Sequence, residues 1–172
     1  TVALGNGNDV VSMPGNNNSI TLGNGDDVIS LAGTGNSVTV GSGHDTIMTG
    51  AGANTFVLDG STATLVLHGS NNNVLVNGGS DQVMDMPADH LLLQVGPSGG
   101  TIVIDHFSAT NGVVNLAAEL ASSLHWTTSA QVGAALTSDH GGGSLLSLGS
   151  YGSIDLIGVA PATLHASNFQ IG

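Results

Sequence analysis

The chain has no lysine, no arginine and no cysteine. Without a basic side chain nothing in it can neutralise phosphates, which excludes nucleic-acid binding and phosphoryl transfer. Electrostatic attachment to anionic membrane surfaces is excluded on the same ground. The missing cysteines rule out disulfides and thiolate zinc sites and leave the redox compartment open. Aromatic residues make up only 3%, with one Trp and one Tyr, so there is little surface for stacking sugars. No run approaches 18 apolar residues, so no transmembrane helix and no membrane insertion are read. The first residues lead straight into Gly-rich sequence with no charged n-region or apolar h-region, so no signal peptide is read either.

What the chain does have is 27 glycines, 40% hydrophobic residues and 12 acidic side chains, for a formal charge of -12. That apolar content separates it from acidic disordered segments and predicts a folded chain. Twelve carboxylates facing no intramolecular cation except His repel one another when compacted. The counter-charge must come from outside, and divalent cations are the first candidate.

The sequence repeats. Leu4-Gly-Asn-Gly-Asn-Asp9, Leu22-Gly-Asn-Gly-Asp-Asp27 and Val40-Gly-Ser-Gly-His-Asp45 start 18 residues apart, and the half-period is nine. With Leu4 as position 1, position 8 reads Val11, Ile20, Ile29, Val38, Ile47, Phe56, Leu65, Val74 and Val83, all apolar. Position 1 reads Leu4, Met13, Leu22, Leu31, Val40, Thr49, Leu58, Leu67 and Val76, with one lapse. Two residues apart in an extended strand, these positions point to one face. Each unit is a loop followed by a short strand with an inward apolar pair. Helical spacing is absent from the first 85 residues, so the expected architecture is all-β, a parallel coil with two facing sheets.

Position 6 divides the two edges of that coil. One edge reads Asp9, Asp27, Asp45, Ala63, Asp81, and the other Asn18, Asn36, Asn54, Asn72. Stacked amides can hydrogen-bond along a ladder. Stacked carboxylates about 5 Å apart need cations between them.

These units resemble the nonapeptide repeats of RTX (repeats-in-toxin) proteins, a calcium-binding β-roll family. The match is close for the units at Leu4, Leu22 and Val40, partial for Asn77-Gly-Gly-Ser-Asp81 and weak at Leu58. The resemblance implies Ca²⁺ held between loops of successive turns by backbone carbonyls and the position-6 carboxylate. The residues it points to are Gly5, Gly7 and Asp9, Gly23, Gly25 and Asp27, and Gly41, Gly43 and Asp45, with Asp81 in the partial unit. Ala63 breaks the column. Ca²⁺ chemistry agrees, since the ion takes six to eight oxygens and glycine loops expose carbonyls.

After Asp85 the period fails, and Met86-Pro-Ala-Asp-His-Leu-Leu-Leu fits only as an eight-residue unit that moves the position-6 role from His90 to Asp89. Residues 1–94 are therefore read as the β-roll and 95–172 as a β-rich C-terminal cap. Beyond the break, strands are expected over 91–95, 101–107, 113–116, 144–149, 153–157 and 166–171, with a short helix over 131–136. Ile104-Asp-His-Phe107 and the closing Ser-Asn-Phe-Gln-Ile171 resemble the C-terminal region of RTX exoproteins that leave bacteria by type I secretion. That resemblance implies a secreted, extracellular or cell-surface protein that engages the type I secretion machinery.

Outward position 9 turns apolar along the chain through Met48, Val57, Val66, Leu75 and Met84, and such a stripe is expected to be covered, by the C-terminal segment or by another subunit. The seven histidines lack metal-ligand spacing, and no Gly-x-Ser-x-Gly element occurs, so no catalytic residue is assigned and the chain is not read as an enzyme. The expected function is a calcium-binding structural and type I secretion module of a larger extracellular bacterial protein. Two alternatives stand beside it: a self-assembling surface-layer or filament protein of stacked β-rolls, and the tail of a secreted hydrolase. Thr1-Val-Ala3 fits positions 7 to 9 of an earlier unit, which predicts an open coil edge and homotypic end-to-end association.

Overall fold

The computed structural model describes residues 1–86, 90–139 and 141–172. The chain winds as a parallel β-solenoid in which successive strands alternate between two sheets. The first sheet holds β1 (Val2–Ala3), β3 (Ser19–Thr21), β5 (Ser37–Val40), β7 (Thr55–Leu58), β9 (Asn73–Val76), β11 (Leu92–Val95), β13 (Val113–Leu116) and β17 (Phe169–Ile171), in that order. The second runs β2 (Val10–Met13), β4 (Val28–Leu31), β6 (His44–Thr49), β8 (Thr62–His68), β10 (Ser80–Met86), β12 (Gly100–Asp105) and β16 (Gly152–Ile157). Beyond β16, β15 (Ser144–Ser147) and β14 (Leu136–Ser138) extend it as antiparallel strands.

Register follows the 18-residue period: Val11 lies opposite Ile29, Ile29 opposite Ile47, and Ile20 opposite Val38. The position-8 residues from Val11 to Val83 are all buried, and the column continues through Leu93, Ile104, Val114, Leu156 and Phe169. Each turn thus adds its inward side chains to one continuous core. Thr49, the polar lapse, is 3% exposed, and its hydroxyl accepts a hydrogen bond from the His68 N–H at 2.9 Å, which satisfies it in place.

The period shifts by insertion, not deletion. Leu92 lies opposite Asn73 and Leu93 opposite Val74, a step of 19 residues, so this unit has ten residues rather than the expected eight. Leu91, buried, takes the position-6 place opposite Asn72, and exposed His90 turns the corner with φ 44°. Asp89, proposed for that role, lies outside the described residues, as does His140.

The cap strands fall close to expectation, whereas the expected helix over 131–136 is α2 at Ser129–Ala134, preceded by α1 (Ala118–Ser123) and followed by β14. Thr128 caps α2, its hydroxyl accepting from the Gln131 N–H at 3.3 Å while Gln131 reaches back to the Thr128 N–H. Both helices bury one side, Leu120 and Ala121 from α1 and Val132 from α2, and α2 packs against β17. Among the described residues no helix is long and apolar enough to cross a membrane.

The outward apolar stripe is not one stripe, and the C-terminal segment does not cover it. Because consecutive units alternate between sheets, Met48, Val66 and Met84 lie on β6, β8 and β10, whereas Val57 and Leu75 lie on β7 and β9. Met48 and Met84 remain 44% and 37% exposed. The C-terminal segment prolongs both sheets and packs helices against the last turn instead of folding back along the face.

Candidate metal site

Each solenoid turn has two edges, and the loops on them are built differently. On the amide edge the corner residues Asn17, Gly35, Ala53 and Asn71 take left-handed conformations, with φ between 56° and 69°. On the carboxylate edge the position-4 glycines Gly7, Gly25 and Gly43 have φ of 139°, 146° and 140°. Two of these glycines are obligatory for a second reason: a Cβ on Gly25 would collide with the carbonyl oxygen of Gly7, and one on Gly43 with that of Gly25, whereas Gly7 has open space beside it. Successive loops on this edge stack backbone on backbone.

On the amide edge both side-chain polar atoms of Asn36, Asn54 and Asn72 find partners. Asn36 Oδ1 accepts from the Asn18 N–H at 2.9 Å, and Asn54 Oδ1 accepts from the Asn36 N–H at 2.8 Å. The second side-chain atom, Nδ2, donates to the carbonyl three residues back: Asn36 to Gly33 at 2.9 Å, Asn54 to Ala51 at 2.7 Å, Asn72 to Gly69 at 2.8 Å. Asn36, Asn54 and Asn72 are buried, and the amide group closes the corner without external help.

The carboxylate edge copies the first half of this arrangement only. Asp27 Oδ1 accepts from the Asp9 N–H at 2.9 Å, and Asp45 Oδ1 accepts from the Asp27 N–H at 3.1 Å. Asp9 itself is half-buried, while Asp27 and Asp45 are 0% and 2% exposed. Their second oxygens, Asp27 Oδ2 and Asp45 Oδ2, are buried with no hydrogen-bond partner. Where asparagine presents a donor, aspartate presents an unsatisfied, negatively charged acceptor. Burial, reinforced by repulsion from Asp27 and Asp26, pushes the Asp45 carboxyl up to about 6, although the Asp27 N–H pulls it down.

A second set of contacts, running the opposite way, was not legible in the repeat. Asn6 Oδ1 accepts from the Asn24 N–H at 3.0 Å, Asn24 Oδ1 from Ser42 at 3.2 Å, Asn8 Oδ1 from Asp26 at 3.0 Å and Asp26 Oδ1 from His44 at 2.9 Å. Positions 3 and 5 therefore bind each loop to the next turn, while position 6 binds it to the previous one. The His44 N–H, helped by the ring Nδ1 at 3.4 Å from Asp26 Oδ1, holds the exposed Asp26 carboxyl below its ordinary range. His44 faces solvent.

Neutral backbone oxygens are present in the same loops as the two orphaned carboxylate oxygens. Gly5 and Gly23 carbonyls accept from the Gly23 and Gly41 N–H groups at 3.3 and 3.2 Å, whereas among the described residues no donor reaches the Gly7 or Gly25 carbonyl. Gly5, Gly7 and Asp9 form the end loop, Gly23, Gly25 and Asp27 the second, and Gly41, Gly43 and Asp45 the third, in the register read from the repeat. No group of three His, Asp or Glu side chains among the described residues could hold a metal ion. With no three such side chains gathered, backbone oxygen would have to supply most of the shell of an ion on this edge, and an all-oxygen donor set suits a hard cation.

Asp81 stands apart. It is 2% exposed, its Oδ1 accepts from the Ala63 N–H at 2.9 Å and the Ser61 hydroxyl at 3.3 Å, and its Oδ2 has no partner. Its neighbours along the column are Ala63 on one side and Ile102 on the other, so no second carboxylate adjoins it.

Comparison with protein-family models, with curated proteins and with solved structures finds no match.

Proposed function

We propose that this chain is a calcium-stabilised β-solenoid that serves as a folding and secretion module of a larger extracellular bacterial protein, and that it is not itself an enzyme. One observation carries the calcium reading: Asp27 and Asp45 each bury a carboxylate oxygen with no donor, in a chain with no lysine or arginine to answer it. Burying an unpaired charge costs several kcal/mol, and a cation shared by two carboxylates removes that cost. Asp9, Asp27 and Asp45 with the Gly7 and Gly25 carbonyls are the residues to hold it. Bound Ca²⁺ supplies positive charge and binding energy that only the folded coil can use.

The secretory part of the proposal rests on the resemblance of the repeats and of the closing strands to RTX exoproteins. It has a physical logic of its own. A coil whose turns repel without calcium stays open where calcium is scarce and closes where it is plentiful, and an affinity of roughly 10⁻⁴ to 10⁻³ M, typical of extracellular modules, places that switch outside the cell.

Circular dichroism with and without calcium tests this. In chelator the parallel-sheet signal and the melting temperature are expected to be lowered, and both to rise cooperatively in millimolar Ca²⁺. Identical spectra and identical melting in the two conditions would refute the calcium reading.

A further inference from the structure

The break in the carboxylate column creates a site of a different kind. Asp81 is 2% exposed, yet its Oδ2 has no hydrogen-bond partner, and the position-6 residues on either side are Ala63 and Ile102. The next carboxylate along the column, Asp45, is two strands away, roughly 9 to 10 Å at about 4.8 Å per strand. Ser61, fully buried, donates its hydroxyl to the other oxygen, Oδ1, and brings no charge. Along the column Asp81 is therefore a single carboxylate, which Asp45 still repels from that distance.

Among the described residues no donor reaches the carbonyls of Gly60 and Gly78, in the loops that precede Ala63 and Asp81. A surface cleft of about 240 Å³, lined by Thr62, Ala63, Ser80 and Asp81 among others, lies on the outer face of β8 and β10, while the Asp81 carboxylate is turned inward, with its Oδ2 buried.

We propose that Asp81 anchors a second cation site, separate from the Asp9–Asp27–Asp45 column, that takes a monovalent hard cation, sodium. Charge matching decides the class of ion. Two carboxylates neutralise a divalent cation, whereas a divalent cation on Asp81 alone leaves an uncompensated positive charge in a poorly hydrated place. Sodium prefers the same oxygen ligands as calcium, is close to it in size, and leaves the site neutral. The alanine at position 63 thus changes which ion the column accepts.

The test uses the full chain in saturating calcium, melted in sodium chloride and in choline chloride at equal ionic strength. The expected result is a Tm higher in sodium, by on the order of 2–4 °C. Asp81→Asn should remove that difference without changing the number of calcium ions bound; asparagine keeps the Oδ1 that accepts from the Ala63 N–H. Ala63→Asp should join the two segments, adding calcium binding and abolishing the sodium effect. Wild-type protein with equal Tm in both salts, an Asp81→Asn variant with the same sodium dependence as wild type, or loss of a bound calcium from Asp81→Asn each overturns the proposal. If Asp81→Asn does not fold, sodium-23 line broadening on the wild type decides, and broadening absent or fully displaced by calcium overturns it. A chain that binds no calcium but keeps the sodium dependence overturns only the calcium reading.

Discussion

At position 6 of the repeat, the two edges of the coil differ by one atom. Asn36 closes its corner by donating from Nδ2 to the Gly33 carbonyl, and Asp27 has an oxygen in that role with nothing donating to it. Replacing Asp27 and Asp45 together by asparagine is therefore expected to abolish calcium-induced folding and to yield a coil that is at least as stable in chelator as the wild type. Removing two unpaired buried charges is worth several kcal/mol, more than the loss of suitability at loops not shaped for an amide. Calorimetric titration and melting in chelator check both halves, and a double variant that still needs calcium to fold contradicts the assignment. A second residue-scale expectation concerns Ala53, exposed at a corner with φ 56°. An alanine there bears a left-handed cost of about 1–2 kcal/mol that asparagine tolerates better, as Asn17 and Asn71 do in the same column. Ala53→Asn should stabilise the fold by about 0.5–1 kcal/mol in denaturant melts, with calcium binding unchanged.

For the elements, the alternation of apolar residues located almost every strand, because positions 8 and 1 face inward wherever the chain keeps its nine-residue step. The misread unit shows the limit of that signal. Leu91, Leu92 and Leu93 are all leucine, and removing or adding one residue restores the same inward parity; only pairing with Asn73 and Val74 chooses Leu93. Likewise, polar loops announce ladders without saying which way they run, so the Asn6, Asn8, Asn24 and Asp26 contacts to the following turn were invisible. The carboxylate column itself was legible, since equal spacing stacks like charges. Its consequence for acidity follows from burial, which pushes Asp45 and Asp81 up to about 6 from the ordinary 3.8. A raised folded pKa means the folded state binds more protons than the unfolded one between about pH 4 and 6. In chelator, stability should fall as pH rises through that window, by about 1.4 kcal/mol per unit for each group, stay low above it, and be restored in acid. In saturating calcium the Asp45 share of that slope should reverse, because the ion requires the carboxylate, while the Asp81 share should persist. Urea melts at pH 4, 5, 6 and 7 in the two conditions read the signs directly, and parallel profiles would show that the carboxylates meet no cation.

On the scale of the whole molecule, a solenoid is nearly one-dimensional, so its stability is a sum of turns and the contacts between neighbours. The end at which the last turn is reached has a cap whose strands were largely readable, while β14 was hidden in an Ala/Leu-rich stretch that favours helix by composition. Val132 of α2 is fully buried and Phe169 of β17 nearly so, and α2 packs directly on β17. Val132→Asp places an unpaired charge in that contact, at a cost of about 3–5 kcal/mol, which corresponds to a Tm lower by roughly 10 °C in a chain of this size. The one-dimensional picture makes a sharper statement about where the loss appears. Amide exchange should accelerate in β17 and β13, then in β11 and β16, while β3 to β6, flanked by the Asp9, Asp27 and Asp45 loops, stay protected as long as calcium is saturating. Removing calcium from the wild type should give the opposite gradient, with β2, β4 and β6 exchanging first and the cap last. If both perturbations raise exchange evenly along the coil, the molecule unfolds as a single unit and the division into an ion-dependent end and a helix-capped end is wrong.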